Sequence, residues 1–157
     1  MPRILLYKEE RYTLVDSLSL GLRESLESHE FELIGAAHPS TTNEAFFYPD
    51  GILVHDTVKR WIGGAMRFRL RNIIKGRKLL LIRRTDIHQG PYSVRVSLDS
   101  GPPRILDTPG TDTRHRWRNL FIIFEDAEVL GSSCIVEFHI GEKGRDNSGT
   151  IYAYQVL

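Results

Sequence analysis

The chain has 157 residues, of which 41% are hydrophobic, so it is long enough for one domain with its own core and is not expected to be disordered. Its 21 lysines and arginines nearly balance 20 aspartates and glutamates, and a net charge of +1 gives no reason to expect nucleic acid or an anionic membrane as a partner. Cys134 is the only cysteine, which excludes an intrachain disulfide framework and a thiol-rich zinc site.

The first segment, MPRILLYKEERY, has a short apolar patch before charged residues return. This patch is too short for a signal-peptide core, and no later run approaches the length of a membrane span. As the sequence is written, we expect a soluble cytoplasmic protein. A fragment of a longer secreted protein would have the same composition.

The next segment, SLSLGLRESLESHE, gives the one helical pattern in the chain. Leu18, Leu22 and Leu26 are four residues apart, and Ser17 is available as a helix cap. Gly21 disfavours a helix by about 1 kcal/mol relative to alanine. The pattern therefore leaves a short helix within residues 17–30 and an ordered loop equally open.

Strict alternation of apolar and polar residues dominates the rest of the chain and is typical of strands with one buried face. The runs KLLLI, NLFIIF and TIYAYQVL add further strand signals. Turn signals separate the segments: YPDG, IGGA, IKGR, HQGP, DSGPP, TPGTDT and EKGRDNSG. We predict an all-β fold, an antiparallel, jelly-roll-like two-sheet sandwich that forms a single domain over residues 1–157. The apolar positions of the three clearest strands are Met66, Phe68 and Leu70; Tyr92, Val94, Val96 and Leu98; and Cys134, Val136, Phe138 and Ile140.

The apolar run LLLI ends in Arg83, Arg84 and, two residues later, Asp86. Neighbouring residues of a strand point to opposite faces, so the two arginines cannot hold one small ligand from the same side. In the structural interpretation, one arginine faces water and the other pairs with Asp86, Asp99 or Asp107. In the functional interpretation, the same residues contact a sugar hydroxyl or a carboxylate at the rim of the sandwich.

Trp117 lies in RHRWRN, just before the run NLFIIF, and His115 and Arg116 precede it. An exposed indole on a loop can stack on the apolar face of a sugar. The alternative is a buried indole that anchors the loop, and Trp61 in VKRWIGG carries the same two interpretations. The predicted ligand-binding residues are Arg83, Arg84, Asp86, His115, Arg116 and Trp117.

Catalytic chemistry has little support in the residue pattern. A glycosidase needs two carboxylates about 5–10 Å apart, but nothing in the spacing pairs any of the candidates. The six histidines are too scattered for a helical zinc motif, and no GxSxG elbow occurs. We predict no catalytic residues, no metal and no cofactor. The candidate carboxylates are Asp16, Glu24, Glu27, Asp86 and Asp99.

Three pieces of the chain, in this order, together resemble a known module. They are TLVDSLSLGLRESLESHEFEL, then KGRKLLLIRRTD with YSVRVSLDSG, then RHRWRNLFIIFEDAEVLGSSCIVEFHI. The chain resembles the accessory C-terminal β-sandwich of glycoside hydrolase family 172, which includes difructose-anhydride synthase and α-fructofuranosidase-type enzymes. The resemblance covers most of the chain, although a VDG-like motif is loosened here to LDSG.

The resemblance implies an accessory sandwich without its catalytic body, because the glutamate motifs of such enzymes, of the GEGDE and GTGTEDY kind, do not occur here. It implies a non-catalytic carbohydrate-recognition module whose partners are a glycan and a catalytic glycosidase chain. A self-associating structural subunit, a homo-oligomer, is the alternative function. A hydrolase in its own right is the weaker alternative.

Overall fold

The computed structural model describes residues 1–87, 92–108, 116–141 and 144–157. Almost all of its regular structure is strand, with one short helix, α1 (Arg23–Ser28), and a 3-10 turn at Asp126–Glu128. The strands are β1 (Ile4–Tyr7), β2 (Glu10–Leu18), β3 (Glu32–Ile34), β4 (Ala37–Phe47), β5 (Leu53–Ile62), β6 (Ala65–Leu70), β7 (Leu79–Asp86), β8 (Tyr92–Leu98), β9 (Arg104–Thr108), β10 (Trp117–Phe124), β11 (Cys134–His139), β12 (Arg145–Ser148) and β13 (Ile151–Val156).

The strands form three antiparallel sheets. Sheet A has the order β1-β2-β13-β7-β10, sheet B has the order β3-β6-β11-β8-β9, and sheet C has the order β12-β5-β4. The predicted all-β antiparallel sandwich is therefore confirmed. Some neighbours in these orders are consecutive in sequence, as β1 and β2 are, but others are distant: β13, the last strand, lies between β2 and β7 in the middle of sheet A.

The main core lies between sheets A and B. The apolar positions predicted for the three alternating strands are buried wherever their side chains are described, and they pack against Leu79, Leu81, Ile122 and Phe124 of sheet A. Their polar alternates face away from the core, as Ser93 and Arg95 do on β8. Two layers follow because both sheets have an apolar face, and packing these two faces together removes them from water.

A second, smaller apolar cluster lies on the other face of sheet A. Its buried members are Tyr12, Leu80, Ile82 and Tyr154, and Leu5 and Tyr7 of β1 pack against them. The Tyr154 hydroxyl donates to the carbonyl of Pro2 at 2.5 Å, which ties the N-terminus to β13. The run LLLI of β7 is thus apolar without alternation because both of its faces are covered.

Of the two alternatives left open for residues 17–30, a short helix is present, at Arg23–Ser28, but Ser17 is not its cap. Ser17 and Leu18 belong to β2, and Leu18 is part of the main core. Leu22 occupies the N-cap position without a side-chain hydrogen bond. The three leucines spaced four residues apart therefore extend from the end of β2 into α1, and they do not form one face of a helix. None of the described helices is long and apolar enough to cross a membrane.

Cys134 is buried in the main core, and burial raises the pKa of its thiol to about 12. The thiol is therefore neutral and shielded at neutral pH, whereas the reactive form of cysteine is the exposed thiolate. We expect a thiol reagent such as DTNB to react slowly with the native protein and rapidly after unfolding in guanidinium chloride. Rapid stoichiometric reaction in native buffer would contradict the burial of this residue.

Candidate functional site

The sequence-predicted residues that the structure describes lie where the end of β7 meets the start of β10, β12 and the β4–β5 hairpin. We call this group the rim cluster. It is a network of cations and carboxylates from five strands and their flanks, and its members are Glu44, Asp56, Arg60, Arg83, Arg84, Asp86, Arg116, Trp117 and Asp146.

Arg83 lies inside the sandwich with no solvent exposure. Its guanidinium donates to Oδ1 of the equally buried Asp146 at 2.5 Å and to the carbonyl of Asn147 at 2.6 Å. The same group lies 5.0 Å from the ring centroid of Phe138 on sheet B. These contacts tie β7 to β12 and to the opposite sheet, so the role that they show is structural.

Asp86 is also fully buried, but its partners are partly exposed. Arg116 binds it with two nitrogens, at 3.2 Å to Oδ1 and 2.6 Å to Oδ2, and Arg60 approaches Oδ2 at 3.4 Å. Arg60 also binds Glu44 at 2.6 Å, and this hydrogen bond holds the pKa of the Glu44 carboxyl below its usual value. The fork-shaped arginine contact fixes the start of β10 against the end of β7.

Arg84 points to the other face of β7 from Arg83, as the strand periodicity predicts. Its guanidinium lies 5.3 Å from the ring centroid of Trp117 and 3.5 Å from a carboxylate oxygen of Asp56. Trp117 is only 4% exposed, so the buried-indole interpretation describes its position and the exposed stacking platform is absent. Trp61 is buried as well.

The predicted pairing partners of the arginines were wrong. Arg83 pairs with Asp146 and Arg84 with Asp56, because these carboxylates reach β7 from strands that sequence spacing does not connect to it. Asp99 and Asp107 instead accept hydrogen bonds near sheet B. His115 lies outside the described residues. A ligand-binding role for the rim cluster stays a prediction.

A second site, not predicted from the sequence, is a cleft of about 670 Å³ on the outward face of sheet B. We call it the sheet B cleft. Such a volume suits a small ligand or a short oligomer. Its lining combines hydroxyls, charged groups and small apolar side chains, and includes Ser93, Arg95, Ser97, Pro103, Ile105, Glu137 and His139.

Strand register explains why these side chains share one surface. His139 of β11 lies opposite Arg95 of β8, and Arg95 lies opposite Ile105 of β9. Glu137 in turn lies opposite Ser97. Alternation turns each of these residues outward while its neighbours in the chain fill the core.

Arg95 is exposed and has no carboxylate or hydrogen-bond partner among the described parts of the chain. The nearby groups are engaged with one another: Glu137 lies 3.6 Å from His139, and Ser93 donates to Asp107 at 2.5 Å. The cleft therefore presents, among hydroxyls, a guanidinium whose five N–H donors have no partner in the described ranges.

Three of the five carboxylates considered for catalysis are held in separate local interactions. Asp16 accepts from His29 at 2.9 Å, Glu27 pairs with Arg23, and Asp86 is enclosed by arginines. Within the described ranges, no group of three or more His, Cys, Asp or Glu side chains is placed to hold a metal ion.

The outward-facing residues of YSVRVSLD and CIVEFHI were the available sequence signal for the sheet B cleft, but the sequence does not show that these two strands are neighbours.

No family model and no curated protein sequence matches the chain. Solved structures with a similar fold include a family 35 carbohydrate binding module from Clostridium thermocellum, with a TM-score of 0.57, 13% identity, and coverage of 78% of this chain and 90% of that module. A carbohydrate binding module from Cellvibrio mixtus lichenase 5A, in complex with cellotriose, gives a TM-score of 0.51, 14% identity, and coverage of 90% and 97%.

The fold also occurs as part of larger proteins. An exo-β-1,3-galactanase from Phanerochaete chrysosporium, solved with β-1,3-galactotriose, matches with a TM-score of 0.55 and 12% identity over 92% of this chain but only 32% of the galactanase. At these identities the likeness establishes the fold alone. The chain is a β-sandwich of the kind found in carbohydrate binding modules.

Proposed function

We propose that this protein is a non-catalytic carbohydrate-recognition module that binds its ligand in the sheet B cleft. The observation that carries the proposal is the position of the exposed Arg95, which has no ion-pair or hydrogen-bond partner among the described residues, in a cleft of about 670 Å³ lined by serine hydroxyls. The similarity of the fold to two carbohydrate binding modules over most of both chains supports it.

The chemistry of the cleft suits a polyhydroxylated ligand. Arg95 donates hydrogen bonds to ring or hydroxyl oxygens, while Glu137 is an acceptor for hydroxyl protons. Ile105 and Pro103 supply apolar surface for the C–H groups of a sugar. Binding is expected to be modest in affinity, because the cleft is open and its described lining contains no Phe, Tyr or Trp side chain.

We expect Arg95→Ala to weaken glycan binding about tenfold, equivalent to about 1.4 kcal/mol, since it removes charge-assisted hydrogen bonds. Calorimetric titration with fructo-, gluco- and galacto-oligosaccharides, after a glycan array has chosen the ligand, measures this change. Arg11→Ala removes an exposed arginine from sheet A and is the matched control. Equal affinities of the wild type and Arg95→Ala would place binding elsewhere, and no binding at millimolar ligand would reject recognition.

The specific kinship with the accessory module of glycoside hydrolase family 172 remains part of this proposal, as does a catalytic glycosidase chain as partner. Two observations support this kinship and this partner: the fold is similar to a carbohydrate binding module, and the glutamate motifs of the family's catalytic part do not occur in the sequence. Co-purification with a glycosidase encoded by a neighbouring reading frame tests the partnership. The rim cluster is the second place to examine, through Arg116→Ala, if Arg95→Ala leaves binding intact.

A further inference from the structure

The edge of sheet C offers an interaction surface that glycan recognition does not use. Strand β4 has 11 residues and pairs with β5 on one side only. Within the described residues, no strand pairs with its other edge. An edge strand of this length presents a row of backbone N–H and C=O groups that can add a further strand.

The first residues of β4 carry features that discourage strand addition. His38 has a positive φ of 53°, the register with β5 shifts between Ala37 and Ser40, and Pro39 lacks an N–H group. From Ser40 to Phe47 the strand contains no proline, lysine or arginine. Within the described parts of the chain, the edge from residue 40 to residue 47 therefore lacks the prolines and lysines that usually protect an edge strand.

Strand β4 also buries little within one copy of the chain. Every residue from Ala37 to Asn43 is exposed, and only Glu44 and Phe46 are partly buried. At its end, Phe47 is 74% exposed and lies opposite the exposed Leu53. A long hairpin with so little burial is marginally stable by itself, so a partner along its edge would add stabilisation that the single chain lacks.

We propose that β4 pairs antiparallel with β4 of a second copy, so that two three-stranded sheets become one continuous six-stranded sheet. In a dimer whose twofold axis is perpendicular to this sheet, each β4 residue lies opposite a β4 residue of the second copy, and both side chains are on the same side of the sheet. The residue at the axis lies opposite the same residue of the second copy. An axis at Glu44 would oppose two carboxylates, which is unfavourable.

An axis at Asn43 or Thr42 avoids this repulsion and places Glu44 opposite the hydroxyl of Thr42 or Ser40 of the second copy. Paired threonines and serines are favourable across antiparallel strands. This self-complementarity is the reason to assign a second copy as the occupant.

Cysteine cross-linking tests both the partner and the register. Paired residues on antiparallel strands have Cα atoms about 4.5–5.5 Å apart, within the range that a disulfide bridges. Either Asn43→Cys or Thr42→Cys is expected to form a disulfide-linked dimer under mild oxidation. Leu6→Cys, at a 69% exposed position on edge strand β1, is the control and should stay monomeric. Cys134 is buried and does not compete.

A charge variant gives an independent readout by analytical ultracentrifugation. The wild type is expected to show a concentration-dependent monomer–dimer equilibrium, and Asn43→Lys to shift it by at least tenfold towards monomer. Asn43→Ser, which also loses the contact with Thr57 but adds no charge, should still dimerise. A strict monomer at millimolar concentration, or a dimer unaffected by Asn43→Lys and not cross-linked at residues 42 or 43, would overturn the proposal. Neither result depends on glycan binding.

Discussion

Replacing Arg83 by alanine is expected to cost about 3–5 kcal/mol of the free energy of unfolding, because it leaves the Asp146 carboxylate buried without its cation. Neither side chain has any exposed surface, so water cannot hydrate the remaining charge. The variant also loses the contact with the Phe138 ring and the bond to the Asn147 carbonyl. Denaturant unfolding, followed by tryptophan fluorescence, measures the difference.

Arg23→Ala is the matched control, since it breaks an ion pair with Glu27 whose side chains are 89% and 65% exposed. That change should cost well under about 1 kcal/mol. The double replacement Arg83→Met, Asp146→Leu should recover much of the lost stability, because a buried ion pair is often replaceable by apolar side chains of similar size. A loss of less than about 1 kcal/mol for Arg83→Ala would show that the pair is not buried in solution.

The second large effect is expected for Asp86→Ala, at about 1–3 kcal/mol. The carboxylate is fully buried and accepts two bonds from Arg116 and one from Arg60. The cost is smaller than for Arg83→Ala because the two arginines keep 22% and 24% of their side-chain surface exposed and can be hydrated when the carboxylate is removed.

Thermal melts of Asp86→Ala and of the control Glu32→Ala compare the loss of stability on removing a buried carboxylate with the loss on removing an exposed one. Glu32 pairs with Arg67 at the surface, where both side chains are about half exposed, and its loss should change stability by well under about 1 kcal/mol. Identical melts for these two variants would be inconsistent with a buried Asp86. Normal glycan affinity in Asp86→Ala would indicate that the rim cluster stabilises the fold without contacting the ligand.

Some of the fold and little of the candidate site could be predicted from the sequence. Alternation identified β6, β8 and β11 with their buried faces correctly assigned, since period-two burial is a local property of a strand. The β4–β5 hairpin was not predicted, because AHPSTTNEAFF has no apolar face to reveal it. Strand β12 lies inside EKGRDNSG, which had the composition of a turn, and its Asp146 is the partner that sequence spacing could not supply for Arg83.

The sequence by itself determined that the chain is a β-sandwich, that Arg83 and Arg84 lie on opposite faces of one strand, and that an ionic group ends that strand. Only the tertiary structure decided which carboxylate each arginine binds, that Trp117 is buried, and that Arg95, Glu137 and His139 line one cleft. The physical reason is that alternation depends on neighbours along the chain, whereas ion pairs and clefts depend on which distant strands are adjacent in the sheets.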